Sequence, residues 1–324
     1  MRPVKGSVHD FLRKATAIVL TALMVVSDTQ IPFLRIMSQS TGLLETPEAL
    51  AEQLRYVQRG TLSFLKADVT TEEQADLPVT SDTNKRFGFA AGQANTATFE
   101  DALYGHSPLF SGSDAFIVKG SGKGGKADGE AAWQSVEYGS GVTAQTGGST
   151  LGNNVTTKTV VLPTPVDKTK SFVMIQNYAP NAGTSSHHVI RATLQTDVGG
   201  NWTELLLERG AAGTTKSSAT VEWQVVTMDT ATVQQWSYDM PNAESSKTWT
   251  SPTTFNQVTS GETFVLSTVK TAETALDRCY AHRVTLDSNT SVTATRGTGT
   301  NTCSMTIQLI SVPGITVQRN NNFT

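Results

Sequence analysis

The sequence has little charge and few cysteines or histidines, and each shortage removes a class of explanation. Asp, Glu, Lys and Arg make up 16% of the chain and leave a net charge of −3. No general attraction to nucleic-acid phosphate follows from that balance. Histidines number five, and the one adjacent pair is His187-His188. Neighbouring strand residues point to opposite faces, so the two do not readily share a metal. His282 follows Cys279 by three residues, but no second pair at metal-ligand spacing accompanies it. There is no G-x-S-x-G elbow, no H-E-x-x-H and no Ser/His/Asp set, and Glu204, Glu208 and Asp229 are scattered. The expectation is a protein without catalysis, cofactor or metal. Gly120-Ser121-Gly122-Lys123-Gly124-Gly125 spells G-x-G-x-x-G, yet no strand-to-helix context surrounds it. Gly124 also stands where a P-loop needs Ser or Thr, so the stretch reads as a flexible loop.

The chain has two cysteines, Cys279 and Cys303. Either they form a disulfide, or they are two buried thiols. A bond requires Cα atoms within about 7 Å.

Long apolar runs are scarce as well. Ala15 to Val26 follows Arg2, Lys5, Arg13 and Lys14 and falls short of the about 20 residues that a spanning helix needs. Extension through residues 15–37 takes in Asp28 and Pro32. Phe11, Ala15, Ile18, Val19, Ala22 and Leu23 recur at helical steps after Asp10, a suitable N-cap. The favoured reading is a helix buried in an assembly, with Phe11, Ile18, Val19 and Leu23 as the contact. A membrane anchor ranks second and a secretory leader third. A second helix is expected from Thr46, with Pro47 in its first turn and Leu50, Leu54 and Val57 on one face. Residues 1–60 therefore read as a helical assembly segment, and 61–154 as an irregular arm containing the Gly-rich loop.

Thr, Ser, Gly and Asn are abundant instead, and β-branched Thr suits a pleated surface. The C-terminal half carries a tandem repeat. Ser171-Phe172-Val173-Met174 returns as Thr263-Phe264-Val265-Leu266, and Arg191-Ala192-Thr193-Leu194 as Arg283-Val284-Thr285-Leu286. Arg209-Gly210 returns as Arg296-Gly297, Trp223-Gln224-Val225-Val226 as Ile307-Gln308-Leu309-Ile310, and Val233-Gln234 as Val317-Gln318. The spacing shortens while the order holds, as when loops are trimmed between matched strands. Alternation places Val221, Trp223 and Val225 in one core and Met305, Ile307 and Leu309 in the other. Gln224 and Gln308 then face away, towards a backbone edge or a neighbouring module. Arg191 and Arg283, and Arg209 and Arg296, recur too: the planar fork of a repeated arginine suits clamping a carboxylate, and the favoured reading is that each ties down a loop within its own module. Val57-Gln58-Arg59-Gly60 echoes the closing V-Q. The fold class is mainly β: tandem antiparallel β-sandwich or barrel-like modules over 155–240 and 241–324, preceded by two helices and extended arms.

The pattern [ST]-F-V, R-x-x-L, R-G, x-Q-[VL]-[VI] and V-Q resembles repeated β modules of tailed-bacteriophage virion and tail-associated proteins, over about Val155 to Arg319. The resemblance implies a non-enzymatic virion component. Its partners would be other copies of itself and other virion proteins, with no nucleic acid. The alternative is a secreted or surface-anchored carbohydrate-binding adhesin that stacks host glycans on Trp202, Trp236 and Trp249.

Overall fold

The computed structural model describes residues 54–64, 72–76, 82, 84–94, 107–111, 115–119, 129–178, 189–210, 218–271, 282–297 and 302–317. The strands are β1 (Leu54–Phe64), β2 (Glu72–Asp76), β3 (Arg86–Ala94), β4 (Ser107–Ser111), β5 (Ala115–Lys119), β6 (Gly129–Tyr138), β7 (Val142–Leu151), β8 (Thr157–Val161) and β9 (Ser171–Tyr178). There follow β10 (Ile190–Gln195), β11 (Glu204–Arg209), β12 (Ala219–Met228), β13 (Thr232–Met240), β14 (Ser246–Thr250), β15 (Thr263–Thr271), β16 (Arg283–Ser288), β17 (Ser291–Thr295) and β18 (Cys303–Ser311).

These strands form three-stranded antiparallel sheets with one connection rule used three times. The orders are β1-β6-β3 with β2-β5-β4, then β7-β12-β9 with β10-β11-β8, then β13-β18-β15 with β14-β17-β16. In each module the sixth strand lies between the first and third, and the fifth between the second and fourth. The two repeats read from the sequence are the second and third modules. The first module, over 54–138, occupies much of the stretch expected to be helix and arm.

Several expectations are corrected here. Leu54 and Val57 lie in a strand, not on a helix face. Val57 faces Val136 in a pairing that runs from Leu54↔Tyr138 to Phe64↔Gly129, and this long ladder overrides a local helical pattern. Residues 61–154 hold most of six paired strands and all of β7. The second module's strands start at Val142 rather than 155, and the third module's at Thr232 rather than 241. Outside the described residues lie Phe11, Ile18, Val19, Leu23, residues 15–37, Cys279, His187, His188 and the Gly120–Gly125 loop.

Strand register fixes the equivalences. Phe87 faces Val136, Phe172 faces Val226, and Phe264 faces Ile310. Three residues earlier on the central strand, Trp133, Trp223 and Ile307 share one position. On the other sheet, Arg191 faces Glu208 and Arg283 faces Thr295. Phe172 therefore matches Phe264, Arg191 matches Arg283, and Trp223 matches Ile307, as their order in the sequence implies.

Three cores result. Val221, Trp223 and Val225 pack with Leu194, Leu205 and Leu207 between the sheets of the second module. Met305, Ile307 and Leu309 do the same with Leu286 and Val292 in the third. The outer faces of the central strands are buried as well. Val136, Val226 and Ile310 join Phe87 and Phe172 in one cluster that spans all three modules. Phe172 meets Phe87 edge-on at 6.2 Å and Phe264 edge-on at 5.8 Å. This shared layer explains why β12 and β18 are apolar or buried on both sides, unlike the one-sided alternation of a solvated sheet.

Candidate functional site

The polar side chains that recur between modules converge on the exposed edges of neighbouring strands. An edge strand presents unpaired N–H and C=O groups, and a buried one left unpaired costs about 1–3 kcal/mol. Gln224, on the outer face of β12, answers this for β3. Its Oε1 accepts from the Gly88 amide at 2.8 Å, and its Nε2 donates to the Gly88 carbonyl at 2.8 Å. Gln308 of β18 treats Val173 of β9 identically, at 2.8 Å and 2.8 Å. Gly88 and Val173 each follow the equivalent phenylalanine, so one clasp joins the first module to the second and the second to the third. Both glutamines are buried, at 5% and 0% exposure.

The second module's other edge, β10, is covered by the third module too. Thr268 Oγ1 accepts from the Ala192 amide and donates to the Ala192 carbonyl, each at 3.1 Å. Thr193 and Thr306 hydroxyls meet at 2.9 Å. Lys270 of β15 reaches Glu208 of β11 at 2.5 Å, and Arg191 holds the other carboxylate oxygen at 2.5 Å. Burial pushes the Glu208 carboxyl upward, but the hydrogen bonds and charges of Lys270 and Arg191 outweigh it and hold it below the usual range. It is therefore ionised at neutral pH and serves as a bridge between modules.

Two further side chains tie each module to itself. Arg209 donates through Nε to the Val155 carbonyl at 2.7 Å and through Nη2 to the Gly152 carbonyl at 2.7 Å. Arg296 donates to the Glu244 carbonyl at 2.9 Å and the Pro241 carbonyl at 2.7 Å. Each planar fork holds the loop after its module's first strand, as the recurrence of Arg-Gly implied. The glutamine of Val233-Gln234 and its counterpart in Ala144-Gln145 hold the loop before the third strand. Gln145 exchanges two bonds with Thr164, both 3.0 Å. Gln234 does so with Asn256, at 3.0 and 2.6 Å. The V-Q of Val233-Gln234 thus opens the third module rather than closing the second. Its launch is marked by a bond from the Val233 amide to the Thr169 carbonyl at 2.6 Å, matched by Ala144 to Asn84 at 2.6 Å and by Val317 to Gly261 at 2.7 Å.

The three tryptophans proposed to face a ligand lie in different settings. Trp249 is 6% exposed in the third module's core. Trp236 is half-buried there, stacked on Phe255 at 5.7 Å and edge-on to Trp249 at 5.8 Å. Their rings supply core volume, which leaves Trp249 no face for a sugar. Trp202 packs against the rim of the second module's core, with Lys168 Nζ 4.3 Å from its ring centre. It sits beside a hairpin tip where Val198 is fully exposed and Asp197 accepts from the Gly199 and Asn201 amides at 2.8 and 2.9 Å. The Asn201 bond leads the effects that hold the Asp197 carboxyl below its usual range. Cys303 is buried at the start of β18, facing Met240 and Thr271. Among the described residues no three His, Cys, Asp or Glu side chains gather as a metal site.

Sequence reasoning missed the first module's share of this site, although a signal existed. Trp133-Gln134-Ser135-Val136 matches Trp223-Gln224-Val225-Val226 at its first, second and fourth residues. The comparisons with known proteins add no outside guide: the chain matches no protein-family model and no curated sequence.

Proposed function

We propose that this chain is a non-enzymatic structural component of a virus-like particle, of the bacteriophage kind. It assembles through its N-terminal region and displays β modules for decoration, fibre building or surface attachment. The observation that carries the reading is the use made of the recurring polar residues. Gln224, Gln308, Arg209 and Arg296 are all committed to backbone groups. Chemistry of that kind builds rigid arrays of modules, and it occupies all four of these side chains structurally. The test is negative-stain imaging of the native source together with the Ile18→Asp variant. Particles containing the intact chain, lost in the variant while the β modules remain folded, are the expected result. Normal particles from Ile18→Asp would remove the N-terminal contact, and a dispersed native protein would remove the particle.

The adhesin reading keeps Trp202, the one of its three tryptophans outside the third module's core. It predicts quenching of Trp202 fluorescence by a bound oligosaccharide and loss of that signal in Trp202→Ala.

A further inference from the structure

Among the described residues, the clasp that joins successive modules leaves one unmatched half on the first module and one on the third. In the first module, Gln134 occupies the position of Gln224 and Gln308, because Trp133 aligns with Trp223 and Ile307 in the ladders. Gln134 is half-buried rather than buried; its backbone pairs with β1 and β3, and among the described residues its side chain clasps no edge strand. In the third module, Val265 occupies the position of Gly88 and Val173, one residue after the equivalent phenylalanine. No side chain among the described residues clasps it. Val173 is 1% exposed, whereas Phe264, Val265 and Leu266 are all half-buried. The adjoining edge shows the same grading: Ala192 is 1% exposed under Thr268, while its equivalent Val284 is half-buried.

The geometry points to head-to-tail docking between copies of this chain: the first module of one copy sets its β6 face on the β15 edge of the next, with Gln134 clasping Val265. The occupant follows from continuity with the two junctions inside the chain. β10 lies against β15 and β18 just as β4 lies against β9 and β12, so a single relation has already been used twice. A heterologous contact of this type repeats, closing into a ring or continuing as a filament according to its rotation. Docking would place the Val265 amide and carbonyl in the environment that Gln308 gives Val173. It rests on the reading of the chain as an assembling component but invokes Gln134 and Val265 rather than Phe11, Ile18, Val19 and Leu23.

Sedimentation of the full chain over a range of concentrations tests the docking. Wild type should self-associate. Gln134→Glu keeps the shape but loses the amide donor, and Val265→Pro removes the outward N–H at an edge position that tolerates proline. Each should weaken association by roughly ten-fold or more, the effect of losing a two-bond clasp. Mixing the two variants should restore a dimer and nothing larger, since each retains one intact half. Gln134→Ala serves if the glutamate variant misfolds. In dilute wild type the Val265 amide should exchange quickly while Val173 is protected, and concentration should protect Val265 alone. A monomer at every concentration, unaltered association in both variants, or a Val265 amide already protected in the monomer would each overturn the docking. Ile18→Asp, run in parallel, separates the two ideas. Association lost there but kept in both clasp variants sinks the docking and leaves the N-terminal contact standing.

Discussion

The second and third modules share every strand pairing yet fill one core position in opposite ways. In the second, Trp223 on the central strand lies over Gly147 on the first strand. A Cβ built on Gly147 would stand 2.6 Å from Trp223 Cζ2, so the glycine is required by the ring. The first module repeats this with Gly60 and Trp133. In the third module the ring changes strands: Trp236 faces Ile307, and Ile307 faces Ser267 on the third strand, where the second module has Ile175 facing Trp223. What persists between the second and third modules, across the row of three strands, is one tryptophan, one isoleucine and one small residue, not the residue at any one place, as expected of a core packed to crystalline density. A second contrast follows the same logic. Ser171 and Thr227 hydroxyls meet at 2.7 Å and Thr263 and Ser311 at 2.8 Å, whereas the first module places Arg86 opposite Glu137 at that site. Polarity is kept there and charge is not.

The sharpest way to break the comparison is to exchange the volumes. Trp223→Ala should cost about 3–5 kcal/mol through the cavity it leaves. Gly147→Trp alone should cost about 3 kcal/mol through overpacking. Gly147→Trp with Trp223→Ile moves the ring to the first strand, as in the third module, and should recover a large part of the second loss. Urea midpoints for wild type, Gly147→Trp, Trp223→Ile and the double variant, the four corners of that cycle, give the coupling. Simple additivity would show that the swap is coincidental.

Arg209→Ala and Arg296→Ala probe a feature the two modules hold in common. Each removes charge-assisted bonds to two loop carbonyls and should cost about 2–3 kcal/mol. Lysine should restore little in either place, since it lacks the planar fork. Thermal unfolding that changed for one arginine and not the other would end the equivalence.

Gln224→Leu and Gln308→Leu should each cost about 2 kcal/mol by stranding a backbone amide and carbonyl. Hydrogen exchange locates the effect: Gly88 should lose protection in the first variant and Val173 in the second. Loss at both sites from either variant would mean that the junctions are not separable.

The smallest effect concerns Glu208, whose counterpart in the third module is Thr295. Its carboxyl pKa is lowered on folding, so its stabilisation is present above the unfolded value of about 4.3 and is lost as pH falls through the folded value. Glu208→Gln should cost about 1 kcal/mol at neutral pH, and its unfolding curve should converge with wild type near pH 3. A gap that stayed constant with pH would show that the bridge to Lys270 and Arg191 contributes nothing electrostatic.

Much of the fold could be read from the chain because repetition reveals strands that propensity leaves ambiguous. Val221, Trp223 and Val225 alternate with Glu222 and Gln224, and a matching stretch one repeat later sets the register. The candidate site was legible where a polar residue recurred against an apolar background, as with Gln224 and Gln308. It was illegible in the first module, where Gly-rich and polar stretches between strands hide the Trp133-Gln134 match and a short helical pattern around Leu54 imitates a different element. The burial of Trp249 was illegible for a related reason: an aromatic on a strand carries no mark of which side faces water.

By itself the sequence determined strand alternation, the tandem order of the last two modules and the recurrence of the clasping glutamines and arginines. These depend on residue spacing along one strand, which local geometry fixes at a period of two. Only the tertiary structure decided that Leu54–Tyr138 is a third copy, that outer faces such as Val226 and Ile310 share a core, and that each Gln meets the preceding module's edge. Those outcomes depend on groups 135 or 136 residues apart being brought within 2.8 Å, a distance relation that no local pattern encodes.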